Sequence, residues 1–296
     1  MNAEEQLGRE AAGRRLAIAG AVTGALLQLG GSIWREVAFR DAPSGKHKEA
    51  RSLLFVHDHA GSLIGSSIVV GLGAIALILA LRYLFDATKF RRPELPPVAL
   101  YCAIAGPAIF LVAQIATSLL IAGKAADFSH LAPGAQTNSA AKHLTDTGGL
   151  KAAAGAGLAG PLALGFAFVM ISLNAMRVGL LTRFMGILGI IVGVLFVIPI
   201  GSPVPVVQAF WLIAVAVLFA GRWPAGQPPA WTSGKAEPWP SPQELRDRAA
   251  AEGEGGRDGA PAEAGSEPGP EPVPAQGPGG GAPRQRQRKR KRKKRR

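Results

Sequence analysis

The chain has 296 residues, of which 48% are hydrophobic and only 18% charged, against about 25% charged in ordinary soluble domains. Lys and Arg outnumber Asp and Glu 33 to 20, but eleven of the basic residues crowd into positions 284–296, and without them the balance is 22 to 20. That localisation excludes a nucleic-acid-binding surface spread over the whole chain. The single cysteine, Cys102, excludes an intrachain disulfide and any Cys-based metal site.

Residues 1–15 mix Glu4, Glu5 and Glu10 with Arg9, Arg14 and Arg15 and read as a short cytoplasmic segment. Residues 16–34, LAIAGAVTGALLQLGGSIW, then run without a charge. A bilayer core about 30 Å thick needs about 20 helical residues, so this run is one span. The acids ahead of it, and the absence of a small-x-small site in SIWREVAF behind it, favour an uncleaved span over a signal peptide. Three more spans are read over residues 61–83, 98–122 and 153–175.

Residues 184–221 are also free of charge, which is too long for one span. The middle of that run reads IPIGSPVPV, where Pro199, Pro203 and Pro205 each remove a backbone donor and Gly201 favours a turn. The expectation is two short helices, 184–200 and 205–221, joined by a hairpin. Six uncharged runs cannot all be interior in a soluble chain of this size, because a soluble domain needs polar faces. The fold class expected is therefore all-α, a six-helix transmembrane bundle over residues 16–221 with a disordered C-terminal tail.

Orientation follows from the loops. RVGLLTR, between the fourth and fifth spans, holds two cations, whereas the GSPVP turn holds none. Cations prefer the cytoplasmic side, so an even number of spans places both termini inside the plasma membrane. Trp34, Tyr83, Tyr101 and Trp223 fall near span ends, where amphipathic rings settle; Trp211 lies deeper and does not fit. The pairs Gly20/Gly24, Gly61/Gly65 and Gly189/Gly193 allow close helix approach, within one subunit first and between subunits as a homo-oligomer second.

No ionisable residue lies well inside a span, which argues against a proton- or sodium-coupled transporter. Gln28, Gln114, Asn174 and Gln208 are the larger polar groups available there, either as interhelical contacts or as the lining of a passive channel or carrier. All five histidines fall in the two outer loops. VHDHAG sets His57, Asp58 and His59 beside the second span, where imidazole and carboxylate could take zinc or copper or respond to pH. Asp127 and Asp146 in the other loop could complete such a site. The plainer reading is that loops are where polar side chains go. No Walker, GxSxG, HExxH or CxxC motif occurs, so the expectation is a protein that is not an enzyme and holds no cofactor.

Composition changes after Gly221. Residues 222–251 are rich in Pro and Trp and read as an interfacial segment, with SPQELRDRAAA able to begin a short helix on a Ser241 cap. Residues 252–283 are Gly, Pro, Ala and Glu without apolar periodicity and read as a disordered linker. The stretches RRLAIAGAVTG, LLTRFMGILGIIVGVLFVIPIG, VVQAFWLIAVAVLFAGRWP and PAWTSGKAEPWPS together resemble a family of uncharacterised actinobacterial multi-pass membrane proteins. The resemblance implies six helices, carries no established activity and transfers no functional residue.

The tail itself, RQRQRKRKRKKRR, offers Arg284, Arg286, Arg288, Lys289, Arg290, Lys291, Arg292, Lys293, Lys294, Arg295 and Arg296. Such a cluster attracts anionic lipid headgroups at about 1 kcal/mol per basic residue near the surface. It could also release counterions from nucleic acid, but no aromatic residue is interleaved for base stacking. The tether keeps the tail near the inner leaflet, which favours lipid as the partner.

Overall fold

The structure is a computed structural model and describes residues 3–45, 47–198, 205–224 and 226–239. Among these residues every regular element is helical. In chain order they are α1 (Ala3–Ala38), α2 (Glu49–Asp58), α3 (Ala60–Arg91), α4 (Val98–Ser129), a 3-10 turn at Pro133–Ala135, α5 (Asn138–Thr145), α6 (Gly148–Arg177), α7 (Arg183–Val197), α8 (Val206–Phe219) and α9 (Ala230–Ser233). Four of them, α1, α3, α4 and α6, are long and apolar enough to cross a membrane. The apolar helices α7 and α8 have 15 and 14 residues. At about 1.5 Å per residue these two reach only about 21–22 Å. The proline-rich residues 199–204 expected to join them lie outside the described residues.

The four long helices α1, α3, α4 and α6 exceed their expected bounds because nothing stops them. Residues 3–15 hold no proline and continue α1 as helix, so the segment read as a separate N-terminal piece is the first three turns of the first long helix. Likewise α3 continues past residue 83 to Arg91, two residues before Pro93.

Neighbouring helices close into a ring: α1 packs on α3, α3 on α4, α4 on α6, α6 on α7, and α8 on both α7 and α1. Glycines set the closest crossings. A Cβ at Gly165 would stand 2.5 Å from the Gly193 carbonyl oxygen, and one at Gly193 would stand 2.7 Å from that of Gly165. Gly106 and Gly160 face each other in the same way at 3.0 and 2.9 Å, each followed by a proline within its own helix. The repeated Ala-Gly-Pro of α4 and α6 thus marks their crossing, where the small residue brings two backbones together. Gly20 and Gly24 lie against α3 and Gly189 against Ser172 and Trp211, as close packing requires. Gly61 has nothing within 4 Å of its Cβ position and takes no part.

The core is built from small residues on α1 (Ala17, Ala21, Ala25) against Leu77, Leu81 and Leu84, and from Phe168, Trp211 and Phe219. Trp211, too deep for an interfacial ring, is fully buried, donates from Nε1 to the Met185 carbonyl at 2.9 Å and meets Phe168 edge-on at 5.0 Å. The outward faces are apolar as well: Leu16, Leu26, Val112, Leu158, Phe184 and Val206 are 59–67% exposed. Water would oppose so much exposed apolar area on every long helix, whereas hydrocarbon accepts it.

At the end of the bundle opposite the N-terminus the two long loops fold on each other. Leu53 of α2, Ala125 and Phe128 of α4 and Ala141 of α5 form a second small core. The Asn138 side chain joins the loops, accepting from the Ala50 amide at 3.0 Å and donating to the His47 carbonyl at 2.9 Å. Asp146 bridges to Lys151 at 2.6 Å, and that ammonium holds the Asp146 carboxyl below the usual carboxylate range. Neither α2 nor α5 shows in the sequence as an apolar run, since each buries only one or two residues.

Candidate functional site: a clasp and a basic groove

The end of the bundle that carries the N-terminus is closed by the segment after α8. This strap places three tryptophans eight residues apart, Trp223, Trp231 and Trp239. The Trp231 indole donates to the Leu180 carbonyl and that of Trp239 to the Leu181 carbonyl, both at 2.8 Å. The Glu237 amide donates to the Val178 carbonyl at 3.1 Å. Residues 178–181 form the turn from α6 to α7, and its Gly179 has φ +78°. A Cβ there would collide with the Glu237 carbonyl, so both the backbone angle and the close approach of the strap demand glycine. Trp231 and Trp239 therefore bind backbone of the bundle.

Beneath the strap lies a charged clasp. Arg91 at the end of α3 gives Nη1 and Nη2 to the two carboxylate oxygens of Glu10 on α1, at 2.5 and 3.2 Å. Its Nη2 also donates to the Ala230 carbonyl of the strap at 2.6 Å. Both side chains are buried, 0% exposed for Arg91 and 7% for Glu10. Gln6 adds a donor to Glu10 at 2.8 Å, and the Tyr83 hydroxyl donates to the Glu10 carbonyl at 3.1 Å. Tyr83 in turn stacks on Trp231 at 5.6 Å, with Phe219 edge-on to both rings. Tyr83 is therefore a member of this cluster. Two opposite charges in a buried, bidentate arrangement are permissible where hydrogen bonds offset their desolvation, and here both carboxylate oxygens and both Nη atoms have partners while the Arg91 Nε has none among the described residues.

At the α6–α7 turn, α6, α7 and the strap border a groove of about 310 Å³, lined by Met176, Arg177, Arg183, Ile187, Pro238 and Trp239. Arg177 ends α6 and is exposed; Arg183 begins α7 and reaches the Trp239 carbonyl at 3.4 Å.

The residues singled out in the sequence fall elsewhere. His57 and Asp58 are exposed at the end of α2. The His59 ring stacks on Phe55 at 4.1 Å and its Nδ1 meets the Phe55 carbonyl at 2.9 Å. Among the described residues no group of three or more His, Cys, Asp or Glu side chains gathers as a metal set. Gln28 and Gln208, 180 positions apart, hydrogen-bond to each other in the buried interior. Asn174 donates to the Met170 carbonyl at 2.7 Å and Ser67 pairs with Ser118 at 2.7 Å, while Gln114 is half-buried on α4. The polybasic residues 284–296, the linker 252–283 and the helix expected from Ser241 lie outside the described residues.

The clasp and groove escaped sequence reasoning because Glu10 and Arg91 look like ordinary flanking charges. The eight-residue tryptophan spacing was the one available signal. The fold defines an all-α protein with four helices long and apolar enough to cross a membrane. No protein-family model matches the chain, and neither does any curated protein or solved structure.

Proposed function

We propose that this is a multi-pass plasma-membrane protein that works by binding, not by catalysis or transport, and that its basic tail adheres to anionic lipid of the inner leaflet. In this reading α7 and α8 serve as a fifth and sixth span and both termini are cytoplasmic. The end with the strap then faces the cytoplasm, consistent with the exposed Arg177 and Arg183 in its short turn.

One observation carries the choice of binding over transport. Several buried polar side chains that could have lined a path make contacts within the bundle: Gln28 with Gln208, Ser67 with Ser118, and Asn174 with its own helix. Polar groups used this way act as packing contacts between and within helices.

Purified full-length protein in sealed proteoliposomes tests this. The expected outcome is no permeation of small neutral or charged solutes above protein-free vesicles, together with tail-dependent adhesion of anionic vesicles added outside. Saturable flux that Gln28→Leu or Gln208→Leu removes would overturn it in favour of a carrier.

A further inference from the structure

We infer that the groove between α6, α7 and the strap is a binding site for the phosphate of an anionic phospholipid, with Arg177 and Arg183 as its cationic contacts. The inference rests on the membrane reading above. It concerns a built site in the bundle, distinct from the tail.

The lining supplies the charge. Among the described residues that line the groove, two are arginines, Arg177 and Arg183. A guanidinium presents five donors in a planar fork that matches phosphate oxygens, and one of those of Arg183 is aligned by the Trp239 carbonyl. The wall is fixed in place, because the Trp239 indole is anchored on Leu181 at 2.8 Å. A donor such as that of Arg183, aligned before the ligand arrives, loses less entropy on binding.

The surface leading away from the groove supplies the reason for a lipid over a free anion. Phe184, Ile187, Ile191 and Val194 of α7 are 60, 53, 45 and 45% exposed. Their three- and four-residue spacing puts them in one stripe that begins at the groove. The stripe is about 15 Å long at 1.5 Å per residue, long enough to lie along an acyl chain. Inorganic phosphate would use the arginines and leave this stripe uncovered. A basic pocket at the cytoplasmic ends of membrane helices, continuous with an apolar face, fits a phosphate head and its chains together.

The test uses the full chain in mild detergent, titrated separately with dioleoyl phosphatidylglycerol and dioleoyl phosphatidylcholine, with bound lipid counted after gel filtration. Each variant is made twice, once with the native tail and once with the eleven tail cations replaced by Gln. The groove should retain phosphatidylglycerol in preference to phosphatidylcholine in both backgrounds. Arg177→Gln should weaken retention about fivefold, and Arg177→Gln with Arg183→Gln about 25-fold, from one lost headgroup interaction per arginine. Arg183→Lys keeps a cation beside Trp239, so if the double variant fails to fold, Arg177→Gln and Arg183→Lys decide the matter. Equal retention of the two lipids, retention indifferent to Arg177→Gln, or complete displacement by inorganic phosphate would overturn the site. Release of the protein from native membranes by alkaline carbonate would instead remove the membrane reading itself.

Discussion

Arg91 and Glu10, 81 positions apart in sequence, form a buried bidentate ion pair that joins the end of α3 to the start of α1, and the same guanidinium holds the Ala230 carbonyl of the strap. One cation thus ties together three parts of the chain. Removing either partner should leave an uncompensated buried charge, which costs about 3–5 kcal/mol. Glu10→Ala and Arg91→Ala should each lower the thermal unfolding temperature in detergent, and Glu10→Leu with Arg91→Leu should recover much of the loss. If the double variant is as unstable as the two single losses added, the residues are not coupled.

The strap should behave as part of the folded bundle. Trp231→Phe and Trp239→Phe each remove an indole donor from a turn carbonyl and should each destabilise by about 1 kcal/mol. Deleting residues 223–239 uncovers Leu180 and Leu181, both fully buried. Limited proteolysis should then cut the α6–α7 turn readily. A turn that stays resistant without the strap would show that the cover is dispensable.

Glycine substitutions should separate packing positions from empty ones. Gly165→Val forces a side chain against the Gly193 carbonyl, 2.5 Å from the Cβ position. The resulting displacement should cost about 1–3 kcal/mol or more. Gly61→Ala meets nothing within 4 Å. It should be neutral or stabilise by roughly 0.5–1 kcal/mol, since glycine is a poor helix residue. Denaturation in detergent measures both, and equal effects would contradict the crossing.

Side-specific labelling checks the topology. On a Cys102→Ala background, single cysteines at His57 and Lys142 should react with an impermeant thiol reagent from outside intact cells. Cysteines at Glu94 and Arg183 should react only after the membrane is opened. Labelling of all four from one side would reject the arrangement of the two ends.

The tail should act by charge alone. It has eleven cations in thirteen residues and no apolar residue. Without apolar anchors its adhesion should be reversible and screened, because the Debye length falls to about 3 Å at 1 M salt. A peptide of residues 284–296 should sediment with anionic vesicles and not with neutral ones, and a scrambled version should bind equally well. Loss of binding on scrambling would reject the mechanism, and displacement by nucleic acid at physiological salt would make nucleic acid the preferred partner.

The sequence by itself pointed to an all-α fold with runs apolar enough for a membrane. Uncharged runs such as residues 16–34 state this locally, since the length and polarity of a helix depend on consecutive residues. It also located the break between the last two apolar helices, because proline acts on its own backbone. Only the tertiary structure decided which charges and polar groups are buried. Glu10 and Arg91 read as flanking charges until α1 and α3 pack together, and Gln28 finds Gln208 only when α8 returns to α1. The indoles of Trp231 and Trp239 find their carbonyl partners only when the strap folds over the α6–α7 turn. Such partners lie 51 to 180 positions apart. Their pairing is a property of the packed bundle, which no local pattern of residues can express.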